Sequence, residues 1–259
     1  MFEAQRIEKI KTYLLEHRSA DYKTLQAAVP TSLSTVRRDV DKLETEGFLV
    51  KKRGGVVLAE SQVRQMHYES NDGQLDLKSQ VGRAAASLVS EDDIIFIGAG
   101  NSCWQMSKFI EAEHITVVTH SFNVVMELAP KPGVRLIFLG GDVEIEDKKY
   151  FTSGSFAQET LKNIYIEKSF ITVNGISEDF GYTINNNYLA EIYTMLLNCS
   201  DKTYVLADET KFGKRAFRKV CDFGAVAHVV TTPGLPEIYR KYYQEQGTEV
   251  IAAADKNLY

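Results

Sequence analysis

Ser32-Leu-Ser-Thr-Val-Arg-Arg-Asp39, continuing through Val40, Leu43 and Gly47 into Lys51-Lys-Arg-Gly-Gly55, decides how the first part of this chain reads. Ser32 is a helix-capping residue whose hydroxyl can accept the free amides of the first turn. Val36, Val40 and Leu43 repeat at helical spacing, which turns Ser34, Thr35, Arg37 and Arg38 toward the other faces of the same helix. Gly47 stops the helix, Phe48-Leu49-Val50 reads as a strand, and Gly54-Gly55 turns the chain into Val56-Val57-Leu58. The result is a capped helix followed by a hairpin, or wing, with Lys51, Lys52 and Arg53 at its tip.

The preceding residues supply what such a helix packs on. Phe2, Ile7, Ile10, Leu14 and Leu15 make an amphipathic helix over residues 3 to 17, a polar turn follows at 18 to 21, and 22 to 28 forms a second, short helix ended by Pro30 and Thr31. Two short helices and a turn leading to a capped third helix is helix-turn-helix anatomy, in which the N-terminal residues of the last helix meet base edges in the major groove. An arginine can bridge guanine O6 and N7, worth about 1–3 kcal/mol of discrimination. Arg37 and Arg38 lie about 100° apart on the helix, so one is expected at bases and the other at a phosphate. Residues 1 to 60 hold eleven Lys and Arg against nine Asp and Glu, on a chain whose net charge is -5. A weakly basic reader on an acidic body makes few phosphate contacts per copy, so at least a homodimer is expected on a duplex DNA operator.

This segment resembles the N-terminal domain of the DeoR family of bacterial transcription regulators. The resemblance rests on Ser32, on Thr35-Val-Arg-Arg-Asp-Val40 and on Gly54-Gly55, with Val36, Val40, Lys51 and Arg53 as mild departures from the family pattern. It implies DNA binding through Ser32, Ser34, Thr35, Arg37, Arg38, Lys51, Lys52, Arg53, Gly54 and Gly55.

The domain plan follows from length. A winged helix-turn-helix over 1–59 and a polar linker over 60–77, with some helix near 63 to 68, leave residues 78–259 for one larger core. Cys103, Cys199 and Cys221 are odd in number and widely spaced, and the five histidines are scattered, so reduced thiols and no metal site are expected. No apolar run reaches the roughly 20 residues of a membrane span, and the start reads as mixed helix; a cytoplasmic protein is expected.

From Leu77 onward, helical and strand patterns alternate, with strands near 93–97, 115–118, 134–139, 169–173, 204–207 and 226–230. That alternation predicts an α/β domain with a parallel sheet, whose ligands bind beyond the carboxyl ends of the strands. Small and polar residues recur there: Gly98, Gly100, Asn101 and Ser102; His120 and Ser121; Gly140 and Gly141; Ser153 and Gly154; Gly175; and Asp208 with Lys211. Backbone amides at such loops suit an anion, and Lys211 suits a phosphate as a point charge, so a phosphorylated small ligand is expected. A dinucleotide is disfavoured, because Cys103 stands where a third glycine is needed and no acid follows about 20 residues on.

The region from Lys78 to Thr232 also resembles the family's C-terminal sensor, which is similar in fold to ribose-5-phosphate isomerase and is understood to sense phosphorylated sugars. Gly98, Asn101 and Ser102 replace an acid and two threonines of its first loop, His120 replaces a common asparagine, and Tyr193 stands near the family's lysine. The resemblance implies a repressor of sugar-metabolism genes whose operator affinity responds to a phosphorylated sugar, with no cofactor and no enzymatic activity. The competing readings are a regulator with a degenerate pocket, a sugar-phosphate isomerase or hydrolase using Asp208, Glu209 or Glu191 as base, and a protein-protein interaction module.

Overall fold

A computed structural model describes residues 2–59, 75–146 and 149–253. The helix expected near 63 to 68 lies outside the described residues. Two compact units result, divided between Leu75 and Asp76.

In the first unit α1 (Glu3–His17), α2 (Tyr22–Ala28) and α3 (Leu33–Thr45) enclose Ile7, Ile10, Leu14, Leu25, Val29, Val36, Val40 and Leu43. Phe2 stands exposed before α1 rather than in its apolar stripe. Asp21 caps α2 by accepting the Thr24 amide at 2.7 Å, and Ser32 caps α3 by accepting the Thr35 amide at 3.2 Å. Gln26 donates to the Thr31 carbonyl at 3.1 Å and so ties α2 to the turn that leads into α3.

The wing is β2 (Leu49–Lys52) paired antiparallel with β3 (Gly55–Leu58). The polar turn read at 18–21 is instead partly a strand, β1 (Ser19–Asp21), which pairs with the other edge of β3. Its three residues have no strand periodicity of their own; pairing with β3 makes the strand. This contact also explains Gly55, since a Cβ there would run into the Ala20 carbonyl oxygen. Gly54, by contrast, supplies the positive φ of 91° that the two-residue turn requires.

The second unit takes in α4 (Leu75–Ala86) from Asp76 onward and is built on seven parallel strands. In chain order these are β4 (Ile94–Ile97), β5 (Thr116–Thr119), β6 (Arg135–Phe138), β9 (Ile166–Thr172), β12 (Ser200–Leu206), β14 (His228–Thr231) and β15 (Glu249–Ala252). Their order in the sheet is β15-β14-β12-β9-β4-β5-β6. Alternate residues bury on opposite faces. Ile95, Ile97 and Val117 pack with α4, α5 (Asn101–Phe109) and α6 (Phe122–Leu128). Phe96 and Val118 face the core shared with α8 (Asn187–Cys199) and α9 (Glu237–Gln246).

Two antiparallel additions were not legible as strands. One is the hairpin β7 (Asp142–Glu146) with β8 (Lys149–Ser153), after which α7 (Ser155–Leu161) leads to β9. The other is a small sheet of β10 (Gly175–Ser177), β11 (Gly181–Ile184) and β13 (Arg218–Cys221). Both consist of short strands whose partners, not their composition, create them.

Gly55→Ala therefore tests the β1–β3 contact. It should destabilise the wing by about 1–3 kcal/mol, as overpacking against backbone does. Amide hydrogen exchange across residues 49–58 of the full chain should accelerate, and unchanged exchange would show that β1 does not hold the wing.

Candidate functional site

The first candidate surface is the exposed side of α3 and the wing. Ser32 Oγ lies 2.8 Å from both Ser34 Oγ and Thr35 Oγ1, so the helix start carries a small hydroxyl cluster around its free amides. Arg37 and Arg38 are exposed, and the Arg37 guanidinium sits 5.6 Å over the Tyr22 ring. The next residue, Asp39, is buried and receives a forked pair from Arg6, Nε to Oδ2 at 2.8 Å and Nη2 to Oδ1 at 3.1 Å. That clamp fixes α1 against α3 and sets which way the two arginines face.

Lys51, Lys52 and Arg53 do not share the wing tip. Lys51 and Lys52 end β2, and Arg53-Gly54 makes the turn. Lys51 Nζ lies 2.8 Å from Asp41 and 2.7 Å from Glu44, and its amide donates to Glu44 at 3.1 Å. These carboxylates raise the Lys51 pKa, chiefly through the Asp41 hydrogen bond. Lys51 thus ties the wing to α3 with its charge matched internally. Arg37, Arg38, Lys52 and Arg53 form no ion pair within 4 Å of a carboxylate among the described residues, and all four are exposed.

The second candidate is the carboxyl edge of the parallel sheet. From β4 the chain builds outward to β5 and β6, then returns to the other side of β4 and builds through β9, β12, β14 and β15. The reversal falls between β4 and β9, the place where open α/β sheets have a crevice. Gly98-Ala-Gly100 follows β4 and opens α5 with Asn101 and Ser102. The Gly98 amide donates to the Phe170 carbonyl at 2.9 Å, and a side chain at Gly100 would collide with Thr172 Oγ1 at the end of β9. A Cβ on Gly98 would lie 2.7 Å from the Tyr193 hydroxyl, which itself donates to the Ala99 carbonyl at 3.1 Å. Tyr193 therefore holds the loop from beneath.

His120 is fully buried among Phe96, Phe151 and Tyr193. Its Nε2 accepts the Ala99 amide at 2.9 Å, which requires a neutral ring protonated on Nδ1. Burial pushes its pKa down to about 4, slightly opposed by the Thr152 backbone. His120 thus supports the Gly98–Ser102 loop from inside. Ser121 is buried and caps α6, and Ser153, also buried, donates to Glu144 at 3.1 Å. Gly140 is open to solvent, Gly141 lets the chain pass the Ser153 carbonyl, and Gly154 has a φ of 86° before α7. Gly175 is buried against the Lys214 carbonyl oxygen. Burial also pushes the Cys103 thiol up to about 12, so it is no nucleophile.

Beyond β12, buried Asp208 caps the turn Glu209–Lys211, with Oδ1 accepting the Thr210 amide at 3.0 Å and the Thr210 hydroxyl. Its Oδ2 takes no hydrogen bond, and the buried Lys78 ammonium lies 4.0 Å away. Lys211 is half-buried on the same turn. β4 and β12 both flank β9, so the Gly98–Ser102 and Asp208–Lys211 loops leave the same edge of the sheet one strand apart. Lys78 is a site residue that sequence reading passed over. Its one signal was a lysine inside an otherwise apolar helical repeat with Leu77 and Val81. The three acids considered as bases do not form one cluster: Glu209 accepts the Thr232 hydroxyl, Asp208 faces Lys78, and Glu191 accepts from Gln158 at 2.7 Å beside Thr194, Arg218 and Lys219.

Comparison with known proteins places these two units. Residues 6–62 match the DeoR-like helix-turn-helix domain and residues 74–232 match the DeoR C terminal sensor domain. The chain belongs to the DeoR family of helix-turn-helix transcription regulators. It is 28% identical over 255 residues to the HTH-type transcriptional repressor GlcR of Bacillus subtilis, covering 97% of this chain and 96% of that one. It is 26% identical to the uncharacterized HTH-type transcriptional regulator YulB of the same organism, with 97% of each chain covered. The L-fucose operon activator of Escherichia coli is 24% identical, covering 88% of this chain and 94% of the other. A solved structure of a probable sor operon regulator from Shigella flexneri aligns with a TM-score of 0.41 at 9% identity, over 69% of this chain and 97% of that chain. A ribose 5 phosphate isomerase A from Neisseria gonorrhoeae aligns with a TM-score of 0.40 at 16% identity, over 55% of each chain. No described helix is long and apolar enough to cross a membrane.

The depressed pKa of His120 gives a test with a definite sign. Between its ordinary value of 6.5 and about 4 the unfolded chain binds a proton that the folded chain refuses. Stability is complete above pH 6.5 and falls toward pH 4, by a His120 contribution on the order of 3 kcal/mol. Urea denaturation at pH 7, 6, 5 and 4.5 should show this loss, and His120→Gln should lack that part of the slope. Identical slopes would mean that His120 titrates normally.

Proposed function

We propose that the chain is a sequence-specific DNA-binding transcription regulator of the cytoplasm, a repressor of sugar-metabolism genes, whose operator affinity is set by a phosphorylated sugar. The observation that carries the DNA reading is α3, capped by hydroxyls, clamped through Arg6–Asp39, and presenting Arg37 and Arg38 exposed and, among the described residues, outside any ion pair within 4 Å. In this reading one arginine meets base edges and the other a phosphate, while Lys52 and Arg53 reach the backbone from the wing. Lys51 acts as the tether that holds the wing at its angle.

The ligand reading rests on the switch point between β4 and β9. The N-terminal turn of α5 with Ser102, and the lysines Lys78 and Lys211, suit a phosphate. Asp208 Oδ2, buried and without a hydrogen-bond donor, suits a sugar hydroxyl. Tyr193 and His120 stand behind the loop and hold it, so the departures from the family pattern leave the crevice built. A ligand that binds one arrangement of the two readers better than another shifts operator occupancy by that difference. Nothing specific favours the enzymatic reading, because Asp208, Glu209 and Glu191 are each engaged separately.

Arg38→Ala should weaken binding to the operator about 5- to 150-fold, corresponding to about 1–3 kcal/mol, measured by fluorescence anisotropy at fixed salt with far-ultraviolet circular dichroism unchanged. Equal affinities would sink the DNA assignment. A thermal-shift screen against pentose and hexose phosphates should return a stabilising ligand for the wild type, and Lys211→Ala should lose that shift while keeping its DNA affinity in the absence of ligand. A Lys211→Ala protein that responds like wild type would remove Lys211 from the phosphate site.

A further inference from the structure

The two arginines of α3 are neighbours in sequence but stand on different parts of the helix surface. Val36, Asp39, Val40 and Leu43 make its buried side. Opposite them Ser34, Arg38, Asp41 and Thr45 recur at helical spacing, and all four are exposed. At about 100° per residue, Arg38 falls about 30° from the middle of this outward side. Arg37 falls about 70° from it, on the flank it shares with Leu33 and Glu44.

They also differ in what lies beneath them. The Arg37 guanidinium sits 5.6 Å over the Tyr22 ring, and no described ring lies under Arg38. Tyr22 is the first residue of α2, half-buried, with its side chain packed against the cluster that contains Leu25 and Val36. A ring fixed in this way restrains a guanidinium without taking any of its N–H donors, so the fork stays available for an anion. In helix-turn-helix modules the first helix of the pair crosses the sugar-phosphate backbone while the second lies in the major groove. A cation seated on the start of α2 is therefore on the backbone side. Further along the outward side, Lys51 neutralises Asp41, which leaves Ser34 and Arg38 as the groups able to read an edge.

We infer, on the DNA reading proposed above, that the two arginines divide the work. Arg38, with Ser34 one turn before it, reads base edges in the major groove. Arg37 clamps a phosphate from its seat on Tyr22, and Tyr22 acts as a positioning residue for it. The fork of Arg38 donates to O6 and N7 of a guanine, so each half-site carries a guanine opposite Arg38. A serine hydroxyl both donates and accepts, so Ser34 discriminates less. Arg37 contributes register and salt dependence but no sequence information. Removing the Tyr22 ring unseats Arg37 and weakens binding through Arg37 alone.

The full chain and a pool of randomised duplexes test this. The wild type should select a motif with a fixed guanine. Its affinity for the selected duplex, and for the same duplex with that guanine pair replaced by adenine and thymine, is then followed against salt by fluorescence anisotropy. Arg38→Ala should abolish the preference for guanine, about 5- to 150-fold in the wild type. Arg37→Ala should keep that preference, weaken both duplexes alike, and reduce the slope of log affinity against log salt by about 1. Tyr22→Leu, or Tyr22→Met if that chain does not fold, should change the slope in the same direction and add nothing in an Arg37→Ala background, whereas a merely structural loss would persist there. Tyr22→Phe, which keeps the ring, should restore the wild-type slope. A wild type that selects no motif would overturn the DNA reading itself. A selected motif whose guanine preference is relaxed by Arg37→Ala and not by Arg38→Ala would overturn the division while the DNA reading stands, and a Tyr22 effect that persists without Arg37 would remove Tyr22 as its seat.

Discussion

The reversal of strand order between β4 and β9 is the constraint from which the larger unit takes its shape and its crevice. Two neighbouring strands whose following segments leave in opposite directions open a gap at their carboxyl ends. The gap survives only because the chain there is thin. Gly100 passes directly over Thr172, and Gly98 passes over Tyr193, so neither position tolerates a side chain without displacement of a neighbour. Behind the loop, His120 Nε2 accepts the Ala99 amide and the Tyr193 hydroxyl donates to the Ala99 carbonyl, while His120 Nδ1 is buried without a hydrogen-bond partner. At the carboxyl edge of the sheet, the buried Oδ2 of Asp208 takes no hydrogen bond.

The smaller unit separates holding from reading in the same way. Arg6 and Asp39 are spent on each other, and Lys51 on Asp41 and Glu44, which fixes α1, α3 and the wing as one body. Arg37 and Arg38 on α3 and Lys52 and Arg53 at the wing are exposed and, among the described residues, outside any ion pair within 4 Å. Basic residues at similar sequence positions thus do opposite jobs. Which job each takes is set by the carboxylates that folding brings near it.

Much of this was legible in the residues themselves. Helices and buried parallel strands announce themselves through local periodicity, so α1, α2, α3, the wing and the alternating pattern of the sheet were all readable, as was the family. Other parts were not. β1, β15, the β7–β8 hairpin and the β10-β11-β13 sheet are short and lack a continuous apolar run such as Ile94–Ile97, and they exist because distant backbone supplies their hydrogen bonds. Lys78 was overlooked because its partner, Asp208, is 130 positions away.

Motif glycines show where sequence stops and tertiary structure begins. The pair Gly54-Gly55 is a turn signal in any sequence, and Gly54 does have the positive φ that a turn needs. Gly55 is glycine for another reason, the approach of β1, which no local reading contains. By itself the sequence determined the elements, their order and the class of protein, because those depend on residues close together along the chain. The tertiary structure alone decided that His120 and Tyr193 lie behind the loop rather than in front of it, and that Lys51 is a tether. Each of those depends on which groups become neighbours in space, and burial and pairing, not residue type, then set what a side chain can do.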